Sequence, residues 1–407
     1  MSNHQRARLY RFVLGFAVVL VLAATLFPVG TDKSLGSHLC LLCGARSSAD
    51  AIRNTILFIP IGVAALLWSR SVGKALLLAV LLSASVEIAQ LLIPGRHATV
   101  GDLLFNSLGA GVGIVAIRWV GVWLRPTPRV GRFLGFAGTV LTVLAIALSG
   151  YLLEPQFPQS TYFGQWTPDL GHLERYRGRV LAFTIGSEAI PRGRRVDDSE
   201  RTRARLEGGA TLRAVALAGP RTERLSSLVS IYDDHHREVV LLGPDRGDLV
   251  YRYRTRSRAW RLDQPDLRLQ GALSGVSSGD TLRAAVERDS DRYCLIVNRM
   301  RSCNLGFTAG DGWSLIYHSD RFPDWLGGIL GVIWLGGLAL PGAFWATDRG
   351  LAILDSALLF GGLALIPMVT HLLPTPLVEF VAVGSGALAG LYLRRRVDSA
   401  ARGAAGP

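Results

Sequence analysis

The sequence predicts an α-helical polytopic membrane protein, with about eight spanning helices, carrying an inserted all-β domain of the jelly-roll or sandwich type. Three observations lead there. Of 407 residues, 49% are hydrophobic and only 18% charged, with a mean hydropathy of +0.31, whereas soluble domains carry about a quarter charged residues. The charge is unevenly placed, since 22 of the 31 acidic residues fall between Glu154 and Asp320. The apolar pattern changes over the same stretch, from long unbroken runs to short alternating ones. A disordered chain and a simple soluble enzyme are excluded. The net charge of +13 rests on 42 arginines and only Lys33 and Lys74. Outside the charged stretch these basic residues lie at the ends of apolar runs and form no common face, so no nucleic-acid partner is expected.

A spanning helix needs about 20 mostly apolar residues. Eight segments qualify: Phe12–Val29, Ala51–Ser69, Ala75–Pro94, Leu103–Leu124, Phe133–Leu153, Trp325–Ala346, Leu351–Leu373 and Leu377–Leu393. The first run is too long for a signal-peptide core and has no small-x-small cleavage site after it, so it reads as a retained helix. The chain divides into a membrane domain of five spans (1–153), a β-domain (154–324), and three spans with a tail (325–407). With a cytoplasmic N-terminus, the inner segments hold Arg6, Arg8, Arg11, Arg70, Lys74, Arg125, Arg129, Arg132, Arg349, Arg394, Arg395, Arg396 and Arg402. The short outer loops then hold Lys33, Arg46 and Arg96, with Arg53 at the outer start of the second span. Positive residues favour the inside. The expectation is a multi-pass plasma (inner) membrane protein with both termini cytoplasmic and the β-domain extracytoplasmic.

Between the fifth and sixth spans, β-type runs fall at Arg179–Ile185, Ala210–Ala218, Leu225–Tyr232, Glu238–Leu242, Leu249–Arg256, Leu267–Ala272, Thr281–Arg288, Tyr293–Asn298 and Trp313–Tyr317. Turn-forming clusters separate them, among them Gly243-Pro-Asp-Arg-Gly247 and Ala309-Gly-Asp-Gly312. Many short strands punctuated in this way predict a sandwich or jelly roll. The strand rhythm, with Gly279-Asp280-Thr281 through Asp289 and then Tyr293-Cys-Leu-Ile-Val-Asn298, resembles concanavalin A-like and laminin-G-like jelly rolls. Arg299 stands where such folds often have glycine. That resemblance implies glycan binding, in some members with calcium, and makes Asp233, Asp234 and His235 the candidate ligands. A polar hairpin tip is the plainer reading of these residues. Trp166, Trp260 and Trp313 offer sugar-stacking faces, although a sandwich tryptophan is more often core.

All four cysteines fall in segments assigned to the outside, where disulfides persist. Cys294 and Cys303 flank a hairpin, and a two-residue turn at Asn298-Arg299 brings them opposite each other at about 4.5 Å between Cα atoms. Cys40-Leu-Leu-Cys43 reads as a local disulfide, with a redox pair or half of a metal site as the alternatives. Only His38 lies nearby as a further metal-binding side chain, so no metal is expected.

Polar groups in spanning segments are costly and point to function. They gather in the second to fourth spans. Glu87 and Gln90 share a helix face at i, i+3, and Asp102 and Asn106 at i, i+4. Asn54 opens the second span, and Arg96 and His97 lie in the loop between the third and fourth. Gly109 and Gly113 continue the Asn106 face as a small-residue track that admits another helix closely. The alternating direction of the spans puts all of these groups in one leaflet. Asp355, His371 and Glu379, by contrast, read as scattered residues near interfaces or in packing contacts.

Asn-x(3)-Phe-x-Pro-x-Gly at Asn54–Gly62, Ser-x(3)-Glu-x(2)-Gln at Ser83–Gln90, and Arg96-x(5)-Asp102-x(3)-Asn106-x(2)-Gly109 resemble the VanZ-like family. The resemblance covers roughly residues 10–125. It implies that Asn54, Glu87, Gln90, Arg96, Asp102 and Asn106 form a polar membrane site, and it connects the chain with low-level teicoplanin resistance. The same groups also serve as interhelical hydrogen-bond glue, at about 0.6–2 kcal/mol each. The first functional reading is a non-enzymatic envelope protein that engages membrane lipids, a lipid-linked precursor or an envelope glycan. The alternative is an intramembrane enzyme acting on lipid-linked cell-wall or exopolysaccharide precursors. In it, Glu87 or Asp102 is the general base and Arg96 with His97 steadies a phosphate or oxyanion. A transporter ranks third, because no inverted repeat is visible between the halves. A reporter enzyme fused after Pro407 is expected to be active only in the cytoplasm; activity only outside would overturn the orientation.

Overall fold

The computed structural model describes residues 3–26, 40–93, 98–170, 173–318, 324–346 and 348–404. Helices α1 (Asn3–Leu26), α2 (Ser47–Ser69), α3 (Val72–Gln90), α4 (Val100–Arg118), α5 (Val120–Leu124) and α6 (Pro128–Leu153) precede the β-domain. Within that domain, α7 covers Ser199–Glu207, and α8 (Asp324–Trp345), α9 (Arg349–Val369) and α10 (Leu377–Ala404) follow it. Eight helices, all but α5 and α7, are long and apolar enough to cross a membrane. The chain is a multi-pass membrane protein.

The helices form two groups. Helix α2 packs on α1, α3 and α4, while α8 packs on α10 and α6 packs on α8 and α9. The fifth span, α6, therefore makes its main contacts with the helices that follow the β-domain. Small residues set the closest approaches. A Cβ added at Gly109 or Gly113 of α4 would collide with the carbonyls of Thr55 and Ile59 of α2, and one at Gly62 would collide with that of Ala110. The Gly109–Gly113 track thus receives α2, backbone against backbone. At the end away from the β-domain, Trp345 Nε1 donates to the carbonyl of Trp123 at 2.6 Å, joining α8 to α5.

The β-domain is a sandwich of two six-stranded sheets, paired antiparallel throughout, in the orders β4-β1-β6-β7-β8-β9 and β12-β11-β10-β5-β2-β3. The strands are β1 (Phe163–Trp166), β2 (Arg179–Ile185), β3 (Glu188–Ala189), β4 (Arg194–Arg195), β5 (Leu212–Leu217) and β6 (Val229–Tyr232), then β7 (Glu238–Asp245), β8 (Asp248–Tyr253), β9 (Leu267–Leu269), β10 (Thr281–Asp289), β11 (Arg292–Val297) and β12 (Met300–Leu305). Inward residues alternate along β5 and β10, as a face-to-face sandwich requires. The sandwich core runs on into the membrane helices, since Leu152 and Leu153 of α6 and Leu335 and Ala339 of α8 belong to the same buried apolar cluster.

Three local expectations are corrected. Trp313–Tyr317 is not a strand. Ala309–Leu315 forms a 3₁₀ turn instead, closed by a capping box in which Thr308 and Asp311 satisfy each other's backbone N–H groups. The turn in Gly243–Gly247 is only Arg246-Gly247, with Arg246 at φ 58°, and β7 continues through Pro244, which pairs with Leu249. Helix α7 was hidden by its polarity, because it buries only Thr202 and Leu206 and so has no apolar stripe to read.

Buried charge in the sandwich is concentrated on Arg252, whose guanidinium grips Asp266 with two bonds, the Nη2–Oδ2 one at 2.8 Å. Burial is the largest single influence and would raise the Asp266 carboxyl, but the charge and hydrogen bonds of Arg252, helped by His318 and Arg268, together outweigh it and hold that group below the usual carboxylate range. Glu238, 3.8 Å from the same guanidinium, is pushed up by its burial. The Asp266 contribution to stability is therefore complete above the unfolded value of about 3.9 and is lost as pH falls through its depressed folded value. Asp266→Asn is expected to cost about 3 kcal/mol, by weakening the partnering of a buried guanidinium, and to remove that acid limb. Unfolding of the β-domain followed between pH 7 and pH 2 checks both.

Candidate functional site

The close α2–α4 crossing has a chemical consequence at the β-domain end of the bundle. It sets the second turn of α2 beside the first turn of α4, so that Asn54 Nδ2 donates to Asp102 Oδ1. Thr99 is the N-cap of α4, and its Oγ1 accepts the Asp102 N–H at 3.1 Å and donates to Asp102 Oδ2 at 2.8 Å. Its own backbone N–H reaches across to Glu87 Oε2 of α3 at 3.2 Å. One threonine thus joins carboxylates from two helices. Both carboxylates are half-buried.

The other polar residues lie further into the bundle and have partners. Asn106 Nδ2 donates to Ser83 Oγ at 2.9 Å, tying α4 to α3, while its Oδ1 is buried without a hydrogen bond. Gln90 Nε2 donates to the Thr25 carbonyl at 3.1 Å, tying α3 to α1. Asn54, Glu87 and Asp102 are therefore brought together around Thr99, and Asn106 and Gln90 act as interhelical ties. Arg96 and His97 lie outside the described residues.

Sequence reading missed three parts of this arrangement. Thr99 carries the bridge, and Thr99-Val-Gly-Asp102 has the spacing of a capping box, the signal that pointed to it. Ser83 appeared only within a motif. The third is the attachment of the β-domain, one residue from Asn54. Asp263, almost fully buried, accepts from Arg53 Nη1 at 3.2 Å and is ion-paired with Arg46, whose Nε lies 3.2 Å from its Oδ1. Arg53 also donates to the Ile316 carbonyl at 3.0 Å, pairs with Asp50, and lies over the Tyr317 ring at 5.5 Å. The Arg261 carbonyl accepts the Ser48 and Ala49 N–H groups at the start of α2 at 3.2 and 3.4 Å. A helix N-terminus left with free donors is here closed by a carbonyl of the β-domain.

In the β-domain, Asp233, Asp234 and His235 form the tip between β6 and β7, and their ligand atoms lie within 4.8 Å of one another. Asp233 is already engaged. Its Oδ1 accepts the His235 and Arg237 N–H groups at 3.0 and 2.8 Å, and its Oδ2 accepts from Arg254 at 2.9 Å. Asp234 accepts from Ser160 at 2.6 Å and faces His235, and these contacts hold it below the usual carboxylate range. A cation there would have to displace the Arg254 guanidinium. Trp260 is exposed at 63%, Trp313 is buried and Trp166 is half-buried. Cys294 is bonded to Cys303, with Cα atoms 4.0 Å apart, and Cys40 to Cys43.

The fold and this cluster define a multi-pass membrane protein whose first four helices hold a polar site at one membrane face. Residues 5–121 match the VanZ/LLP1 family model, a match that begins in α1 and ends inside α5. The match is confined to the first helical group, which is similar to VanZ/LLP1 proteins, and the β-sandwich is a separate region outside it. No curated protein and no solved structure matches the chain. Thr99→Val keeps the backbone bond to Glu87 and removes the cap and the hydroxyl bond to Asp102. It is expected to lower the stability of the helical domain by about 1–2 kcal/mol, read as a lower melting temperature of the full-length protein in detergent.

Proposed function

We propose that the chain is an integral envelope protein of the VanZ type, with both termini cytoplasmic and the β-domain outside, that engages an amphiphilic or lipid-linked envelope molecule at the Glu87–Thr99–Asp102 cluster. The observation that supports this most is the pair of half-buried carboxylates joined by Thr99 at helix ends adjoining the β-domain. Ionised carboxylates only accept hydrogen bonds, so they favour hydroxyl- and amine-rich headgroups of glycan or peptide character. Arg96 and His97, in the adjoining loop, supply the positive charge that a phosphate linkage needs. The β-domain takes the glycan portion of the same molecule. Sharing a cell-wall precursor in this way would connect the protein with glycopeptide (teicoplanin) tolerance.

A second reading is favoured by the same pair. Two carboxylates bridged by one threonine suit general acid–base work on a lipid-linked precursor. One variant separates the two readings. With Glu87→Gln, co-purification of a lipid-linked precursor with the full-length protein is expected to fall at least about fivefold, roughly 1 kcal/mol, and teicoplanin tolerance of expressing cells to fall with it. Unchanged retention and unchanged tolerance would sink the binding reading. Turnover of the precursor by the purified wild type, lost in Glu87→Gln, would replace binding by catalysis. Measuring retention with calcium and with a chelator tests whether the β-domain uses that ion.

A further inference from the structure

The two helical groups share a register. In the first, Gly109 and Gly113 of α4 meet the carbonyls of Thr55 and Ile59 of α2. In the second, Gly386 and Gly390 of α10 meet the carbonyls of Gly336 and Leu340 of α8. Both contact series advance by four residues on each helix in the same sense, so both pairs are parallel. Carrying the register along the helices matches Pro60 of α2 with Pro341 of α8, each inside its helix. It also matches the contact of Thr55 with the Phe105 carbonyl to that of Gly336 with the Ala382 carbonyl. On the fourth helix of each group, it sets Asp102 against Glu379.

The connections agree. In both groups the long segment lies between the first and second helices, residues 27–46 in one and the β-domain in the other. The residues just ahead of the second helix lie on the N-terminus of the fourth in both. Cys40 accepts from the Gly101 N–H, and Gly101 has no room for a Cβ beside Leu41. Gly310 likewise has no room for a Cβ beside the Glu379 carboxyl, which also faces Thr308. Glu379 is 6% exposed, and its Oε2 has no hydrogen-bond partner. The 3₁₀ turn is wedged between helices, with Gly312 against Ser149 of α6 and Trp334 of α8, and Gly331 of α8 against Gly310.

We propose that α6, α8, α9 and α10 are a second copy of the VanZ-like four-helix unit, with the β-domain inserted in its first connection, and that Glu379 anchors the β-domain by receiving the Thr308–Gly312 turn. The copies are related by a parallel repeat, with equivalent helices running in the same direction. An inverted-repeat search does not see this, and the sequence match is confined to a few positions. In the second copy α9 leans on α6 instead of closing against α8 and α10. The acid that faces a neighbouring carboxylate in the first copy therefore faces the chain's own backbone in the second. Glu379, one of the scattered acids in the sequence, is thus a positioning residue with a defined partner.

The test uses full-length protein in lipid nanodiscs. The shared register predicts that T55C/F105C and G336C/A382C both cross-link under mild oxidation, whereas pairs moved by two residues on one helix do not. Cross-linking of the first pair and a moved second pair, with failure of G336C/A382C, would overturn the repeat. For the anchor, E379Q is expected to raise hydrogen exchange of residues 308–315 at least about tenfold, and G310A, which crowds the same carboxyl, to do the same. D102N should leave that segment protected. Unchanged protection in both E379Q and G310A, or equal loss in D102N, would overturn the assignment.

Discussion

The contact of the β-domain with the first helical group centres on one buried carboxylate. Asp263 is almost fully out of solvent and is ion-paired with Arg46, just before α2, and with Arg53, in the second turn of α2. A buried charge is tolerated only when paired, and removal of either side leaves a desolvated ion. Burial holds the Asp263 carboxyl above the usual carboxylate range, and the two guanidiniums offset only part of that rise. A loop carbonyl of the same domain also closes the start of α2. Asn54 follows Arg53 directly, and Asn54 holds Asp102. The geometry of the membrane site is therefore set partly from outside the membrane.

The second constraint is the glycine crossing of α2 and α4. Amide-to-carboxylate contact between Asn54 and Asp102 needs helix axes closer than ordinary side chains allow, and Gly62, Gly109 and Gly113 provide that approach. Asp102 occupies the first turn of α4, where the helix dipole favours a negative charge. Glu379 has the same advantage in the first turn of α10. Acids that would be costly at mid-bilayer are placed where backbone N–H groups and Thr99 can serve them.

The legible parts of the sequence were those governed by short-range rules. Eight spans follow from length and hydropathy, and most strands of the sandwich follow from alternation and turn residues. The Cys294–Cys303 hairpin follows from turn length alone. Clustering of Asn54, Glu87 and Asp102 was legible because alternating spans fix depth. Long-range pairing was not. Nothing local distinguishes Asp263 from other loop aspartates, or Arg53 from a residue that merely orients a span. Trp313–Tyr317 reads as a strand because its apolar start packs on helices, with Trp313 against Gly327 of α8, partners absent from a local window. Glu379 reads as scattered for the same reason, since α8 and α9 separate it in the chain from its contact at Gly310.

Together these contacts make the β-domain a bridge between the two helical groups. It is held on α2 by an ion-paired loop, at Asp263, and on α6, α8 and α10 by the buried turn at Thr308–Leu315. The two attachments are distant in the chain but joined in space, since the Asp263 N–H donates to the Leu315 carbonyl at 2.9 Å. A shift of one helical group relative to the other must therefore either break a buried ion pair or withdraw a packed turn, and neither can yield gradually. At the opposite membrane face, Trp345 donates to the Trp123 carbonyl. Among the described residues, the buried ion pair and the packed turn that join the groups through the β-domain thus gather at the end where the carboxylates lie.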